Sequence, residues 1–310
     1  MFPLIKHLPV DPKIPFMRWA RAAFIASAVA ILVSLAGVFT LGLNLGIDFK
    51  GGTLIEIRTQ GPADIGALRK TIGELKLGSF ELQEFGDPRD VLIRVENRGG
   101  EEAQQEVVRK IRAALGDSVE YRRVEVVGPK VSGELARDGI IAVLMALAGV
   151  MIYIWFRFEW QFAIGAVASL VHDVIITIGI FAFTRLEFNL SIIAALLTIV
   201  GYSLNDTVVT YDRVRENMRR FKKTPLAAVI DMSINQMLSR TILTSVSTLV
   251  ALIALYVLGG EVLRGFTFTM IWGVIIGTYS SVFIAAPILI WLNAKLLDTD
   301  EERDKVAVKS

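Results

Sequence analysis

The chain has 310 residues, 53% of them hydrophobic, with a mean hydropathy of +0.54 and a formal net charge of +2. Apolar content of this order, gathered into recurrent runs of about 18 or more residues, excludes an ordinary soluble domain and predicts a polytopic α-helical membrane protein. With no cysteine and only two histidines, His7 and His172, the chain has no disulfides or thiolate chemistry and too few ligands for a His-built metal site.

The first apolar run covers residues 22–43, behind a basic segment, residues 1–21, that holds Lys6, Lys13, Arg18 and Arg21. A cleavable signal peptide has a similar outline. The run is longer than a typical signal core and lacks a clear A-x-A site, so an uncleaved transmembrane anchor is expected.

Residues 44–132 change character. Charges are frequent and no run is long enough to span a bilayer. "GTLIEIRT" predicts a strand. "GPADIGALRKTIGELK" predicts a helix with Ile65, Leu68, Ile72 and Leu75 on one face. "SFELQEF" and "DVLIRVEN" predict strands, the second alternating through Val91, Ile93 and Val95. "EEAQQEVVRKIRAAL" predicts a helix that aligns Ala103, Val107, Ile111 and Leu115, and "SVEYRRVEVVG" predicts a closing strand. The order βαββαβ is that of a ferredoxin-like domain. Gly99-Gly100, Gly116-Asp117 and Gly128-Pro129 punctuate it.

Five further spans are expected within residues 133–293, at about 135–156, 162–184, 190–211, 232–258 and 266–292. A tail follows at 294–310. The expected architecture is six transmembrane helices with a small ferredoxin-like domain between helices 1 and 2. Arg213, Arg215, Arg219, Arg220, Lys222 and Lys223 crowd the connection between spans four and five. The N-terminal segment and the tail, with Lys295, Arg303, Lys305 and Lys309, fall on the same side of a six-span chain. The opposite short loops hold only Arg185 and Arg264. Basic short loops stay in the cytoplasm, so both termini are expected inside and the domain outside.

Three charged residues, Asp206, Arg240 and Asp173, fall inside apolar spans. Asp206 lies seven residues before Arg213, on the order of 10 Å inside the helix end. A carboxylate there costs about 2.5–3.5 kcal/mol on insertion scales and needs a partner. Ser203, Tyr202 and Thr210 lie within one turn of it. Arg240, in the next span, falls at a similar depth, and an Asp206–Arg240 pair is expected to relieve both costs, with Asn235 and Gln236 extending the polar strip. Asp173 lies about halfway along span three. Its neighbour His172 is expected on a different face, since adjacent helical residues diverge by about 100°. Such groups can be structural, fixing helix register. They can also form a proton relay. Burial disfavours an ionised carboxyl and a guanidinium favours it, so a helix shift that changes their separation releases or captures a proton. The transmembrane potential supplies about 2.3 kcal/mol per charge per 100 mV for such a shift.

"GIDFKGG" (Gly46–Gly52), "HDV" (His172–Val174), "SLNDTVVTYDRVREN" (Ser203–Asn217) and "LSRT" (Leu238–Thr241) together resemble the SecF family, the smaller partner in the bacterial SecD–SecF complex of the RND superfamily. The resemblance covers nearly the whole chain. Lys50 stands where that family often has Thr. The resemblance implies a subunit that pairs with SecD and uses the proton gradient to aid preprotein export through SecYEG, with YajC and YidC as candidate neighbours. It implies a multi-pass protein of the bacterial inner membrane, in contact with unfolded preprotein and lipid, with no nucleic acid, no enzymatic activity and no cofactor other than protons as the coupling ion. It carries the proton pathway over to Asp206 and Arg240, with Asp173 as a further candidate, and makes Asp48, Gly51, Gly52, Asn205, Asp212 and Arg213 motif positions. Gly51 and Gly52 also read simply as a turn into the first strand, and Asp48 as a local cap. Two other readings are a half-transporter of small molecules or lipids, and a non-conducting scaffold. About 85 external residues give little room for a substrate vestibule. Gly273 and Gly277 have the GxxxG spacing of close helix packing.

Overall fold

The structure, a computed structural model, describes residues 12–96 and 99–294. Lys6, His7, Lys295, Arg303, Lys305 and Lys309 lie outside the described residues.

A long helix, α1 (Phe16–Leu41), leads into a four-residue turn of helix, α2 (Ile47–Lys50). The small domain follows as β1 (Gly52–Thr59), α3 (Ile65–Glu74), β2 (Phe80–Phe85), β3 (Asp87–Val95), α4 (Glu101–Leu115) and β4 (Val119–Val127). Its sheet has the order β2-β3-β1-β4, and every pair is antiparallel. Alternation sorts the strand residues between two faces. Ile55, Ile57, Val91, Ile93 and Val95 pack with Leu68 and Ile72 of α3 and Val107, Ile111 and Leu115 of α4. The other face carries Leu54 and Leu92, which pack against Ile47 of α2. The sheet therefore turns one face to its own helices and the other toward the bundle.

Among the described residues, six helices are long and apolar enough to cross a membrane. They are α1, α5 (Pro129–Arg157), α6 (Trp160–Thr184), α7 (Leu190–Arg220), α8 (Leu226–Leu258) and α9 (Glu261–Ser280). The last continues through a π-turn (Ser281–Ala285) into α10 (Ala286–Trp291). α6 and α9 are largely buried in the middle of the bundle, whereas α1, α5 and α8 present most of their surface outward. Gly273 and Gly277 of α9 face Ile199 and Ser203 of α7, so the GxxxG pair brings those helices together within the chain.

The basic stretch expected as a loop is mostly helix. α7 runs on through Arg220, and only residues 221–225 separate it from α8. Asn217 holds this extension by donating to Ser233 and Gln236 of α8, both at 2.9 Å. Ile14 and Met17 bond to Asn235 and Asp231, and Arg157 pairs with Asp212 at 2.9 Å. The start of α1, the end of α5 and the α7–α8 turn thus meet at one end of the bundle. The small domain sits at the other.

Gly52 sets how the domain leaves the bundle. Its φ is +129°, and a Cβ there would stand 2.5 Å from the Val95 carbonyl oxygen. Gly52→Ala is expected to cost roughly 1–3 kcal/mol, read as a lower unfolding temperature and faster amide exchange in β1 and β3. Asp90 supplies a pH test. Its hydrogen bond from Arg58, at 2.6 Å, outweighs burial and holds its carboxyl below the usual range, with Arg122 adding to the effect. A depressed folded-state value contributes stability that is complete above the unfolded value and lost as pH falls through the folded one. Asp90→Asn is expected to flatten the acid limb of the domain's stability profile.

Candidate functional site

The site is one buried and one partly buried carboxylate in neighbouring hydroxyl cages. Asp173 of α6 is 1% exposed. Its Oδ2 accepts from Ser203 Oγ of α7 at 2.6 Å and from Ser280 Oγ of α9 at 2.8 Å. Ser169 Oγ, one turn earlier on α6, donates to Ser280 Oγ at 2.9 Å. The His172 ring turns toward the same carboxylate, with Nδ1 2.9 Å from Asp173 Oδ1. The expected divergence of the two side chains is not observed, because both bend into one gap. His172 Nε2 is buried without a hydrogen-bond partner, and the ring stacks on Tyr279 with centroids 6.0 Å apart.

Asp206 lies three residues beyond Ser203 on α7 and is partly buried. Thr241 Oγ1 of α8 donates to its Oδ1 at 2.9 Å, and Ser281 Oγ, the first residue of the π-turn, donates to Oδ2 at 2.6 Å. Hydroxyl donors to a carboxylate stabilise it by hydrogen bonding without adding a second buried charge.

The expected Asp206–Arg240 pair is absent. Both residues lie 14 positions from the ends of their helices at the α7–α8 turn, so their depths match. The orientation differs. Thr241 faces α7, and Arg240, about 100° around the helix, is exposed on the outer face of α8. Ser203 was expected beside Asp206 but serves Asp173. Tyr202 reaches Thr248 at 3.4 Å. Asn205 is exposed. Asp212 pairs with Arg157, and Arg213 holds Gln236 and Glu216, each at 2.6 Å, so these two motif residues fasten helix ends.

The Gly46–Gly52 motif joins the domain to the bundle. Gly46 N donates to Phe188 O, and Phe188 N donates to Asn44 O, across the connection between α6 and α7. Gly51 closes α2 with φ +74°. Asp48 does not cap locally. Its Oδ2 accepts from Leu190 N at 2.8 Å, at the first turn of α7, 142 residues away. Asn189 caps the same end through Ser191 N. From β3, Arg94 reaches Glu187 at 2.6 Å and Glu81 at 3.1 Å, and Lys50 pairs with Glu96 at 3.3 Å. Burial pushes the Glu187 carboxyl up from its ordinary value against the pull of Arg94.

Sequence reasoning missed Ser280, Ser281, Thr241 and Arg94. Hydroxyls in apolar spans are common enough that no single one announces itself. The Ser-Ser pair six residues before Pro287 was the available signal.

Two clefts open at the ends of the bundle. One of about 440 Å³ lies among Arg157, Asp212, Arg215 and Arg219. The other, about 610 Å³, lies between the sheet and the bundle, lined by residues including Leu54, Glu56, Arg123, Glu187 and Arg264. Neither is lined by Asp173 or Asp206.

These features define a class: a polytopic membrane protein with carboxylates held inside its helix bundle and a small sheet domain fastened to one end. Residues 107–295 match the model for "Protein export membrane protein SecD/SecF, C-terminal", and residues 36–63 match the SecD/SecF GG motif. The chain is 50% identical to the protein translocase subunit SecF of Magnetococcus marinus, covering 95% of each. It is 45% identical to protein translocase subunit SecDF of Brucella abortus, covering 96% of this chain and 39% of that one. A crystal structure of SecDF from Thermus thermophilus, described as translocon-associated, superposes with a TM-score of 0.83 at 36% identity, over 93% of this chain and 40% of that one. SecDF in a super-membrane-facing form superposes at 0.66, over 98% of this chain and 41% of that one. The chain belongs to the SecF family of protein translocase subunits.

The Asp48 cap ties the domain linker to the helix that carries Asp206. Asp48→Ala is expected to cost about 1 kcal/mol and to speed amide exchange at Leu190 and Ser191. Asp48→Asn, which keeps an acceptor, should restore most of the protection.

Proposed function

We propose that this chain is the proton-driven accessory subunit of Sec protein export, non-enzymatic, working in the bacterial inner membrane with a SecD partner beside the SecYEG channel. In the SecDF relatives, the region similar to this chain makes up about two fifths of a longer chain. That is the basis for the SecD partner. In this reading both termini are cytoplasmic and the small domain is periplasmic, and its strand order read from the far edge, β4-β1-β3-β2, is the ferredoxin-like arrangement. The working partners are unfolded preprotein and the surrounding lipid, with YajC and YidC as candidate neighbours, and protons are the coupling ion in place of a cofactor.

The observation that carries the reading is Asp206 itself. It is an intramembrane carboxylate on a central helix, held by hydroxyls from two other elements and by no salt bridge among the described residues. A carboxylate held this way can change protonation without leaving a buried guanidinium unpaired. Arg240, exposed on an outer face that it shares with Leu243, Thr244, Val246, Ser247 and Val250, needs a partner in a membrane. A carboxylate on the matching SecD helix answers that need, and Arg240 then acts across the subunit interface. Asp173 is the second proton-pathway candidate.

Substituting Asp206→Asn in the complex tests this. Assembly with SecD is expected to persist while proton flux and gradient-dependent export in proteoliposomes fall to background. Normal export would establish a scaffold role. Loss of assembly would make Asp206 a structural residue, and altered small-molecule resistance with intact export would favour a transporter.

A further inference from the structure

Ser280 and Ser281 are consecutive residues that serve different carboxylates on different helices. Ser280 donates to Asp173 of α6, and Ser281 donates to Asp206 of α7. They stand where α-helix gives way to the π-turn Ser281–Ala285. Such turns carry one residue more per turn than the α-helix and often mark functional sites. Pro287 explains the break here. It has no N–H for the carbonyl four residues back, and its ring crowds that position. Tyr211, fully buried on α7, donates its hydroxyl to the Ala285 carbonyl at 3.0 Å and so supports the far end of the turn. The turn is thus fixed at three points: to α6 through Ser280, to α7 near its middle through Ser281, and to α7 one and a half turns further on through Tyr211.

We propose that this π-turn couples the two carboxylates, with Ser280 and Ser281 as positioning residues that set Asp173 and Asp206 in one fixed relation. A change at either carboxylate alters its serine bond, shifts the turn and disturbs the other serine. This rests on the proton-driven reading for its role in export, but the coupling is a property of the bundle and is tested apart from it. The ionisable groups on the elements packed around Asp206 include His172 and Asp173 of α6, Arg240 of α8, Tyr279 of α9, and Tyr202 and Tyr211 of its own helix. In the structure none of these donates to Asp206, which leaves Ser281 and Thr241 as the side chains that do.

The test uses the full chain with its SecD partner in proteoliposomes. Infrared carboxyl bands are assigned by loss in Asp173→Asn and Asp206→Asn. Ser281→Ala is expected to move the Asp206 band. Ser280→Ala, which removes a donor from Asp173 and none from Asp206, is expected to move both bands. Each should lower gradient-driven proton flux about tenfold, the loss corresponding to one hydrogen bond to a charged group, and Ser281→Thr should restore it. An Asp206 band unmoved by Ser280→Ala overturns the coupling. Should that variant fail to assemble, Ser169→Ala removes the donor to Ser280 instead, and an unmoved Asp206 band there overturns it equally. If Asp206→Asn keeps full gradient-dependent export while the bands still move together, the proton reading fails and the coupling stands.

Discussion

A helix bundle in hydrocarbon has no water to satisfy its polar groups, so each must find a partner inside the protein. That constraint organises this molecule around Asp173 and Asp206. Their acceptor oxygens are met by Ser203, Thr241, Ser280 and Ser281, from α7, α8, α9 and the π-turn. Each bond crosses between elements, so it fixes helix rotation as well as distance. A helix turned by one residue would present a side chain about 100° away and leave a carboxylate bare. Gly277 lets α9 approach Ser203 closely enough for one helix to reach both carboxylates.

The same central helix links the site to the domain. α7 begins at Leu190, whose amide is held by Asp48, and carries Asp206 sixteen residues on. Its far end is tied to α5 and α8 through Asp212, Arg213 and Asn217. The linker that contains Asp48 continues directly into β1 through Gly51 and Gly52. Arg94 adds a second tie from β3 to the α6–α7 connection. A movement of α7 therefore has a short covalent and hydrogen-bonded route to the sheet. That is the geometry a device needs if events in the membrane are to act on a domain outside it.

Much of this organisation was written in the sequence. Runs of apolar residues in a bilayer have one stable answer, the helix, so the six long helices were legible, as were the alternating strands and their covering helices. The depth of Asp206 and Arg240 followed from counting residues at a fixed rise. The SecF-like motifs pointed to the family. The chain could not by itself give rotation. Arg240 and Thr241 are one residue apart, and which of them faces Asp206 depends on how α8 packs against α7, a property of both helices together. His172 and Asp173 likewise converge because a gap between α6, α7 and α9 accepts both. Asp48 finds its partner 142 residues away, a contact no local pattern encodes. The π-turn arises from Pro287 and Tyr211 acting from two different helices. Sequence determined the elements, their depth and their chemistry, because these depend on composition and fixed periodicities. Tertiary structure decided which groups touch, because a hydrogen bond between helices needs both at the right rotation, and rotation is set only when all the helices pack.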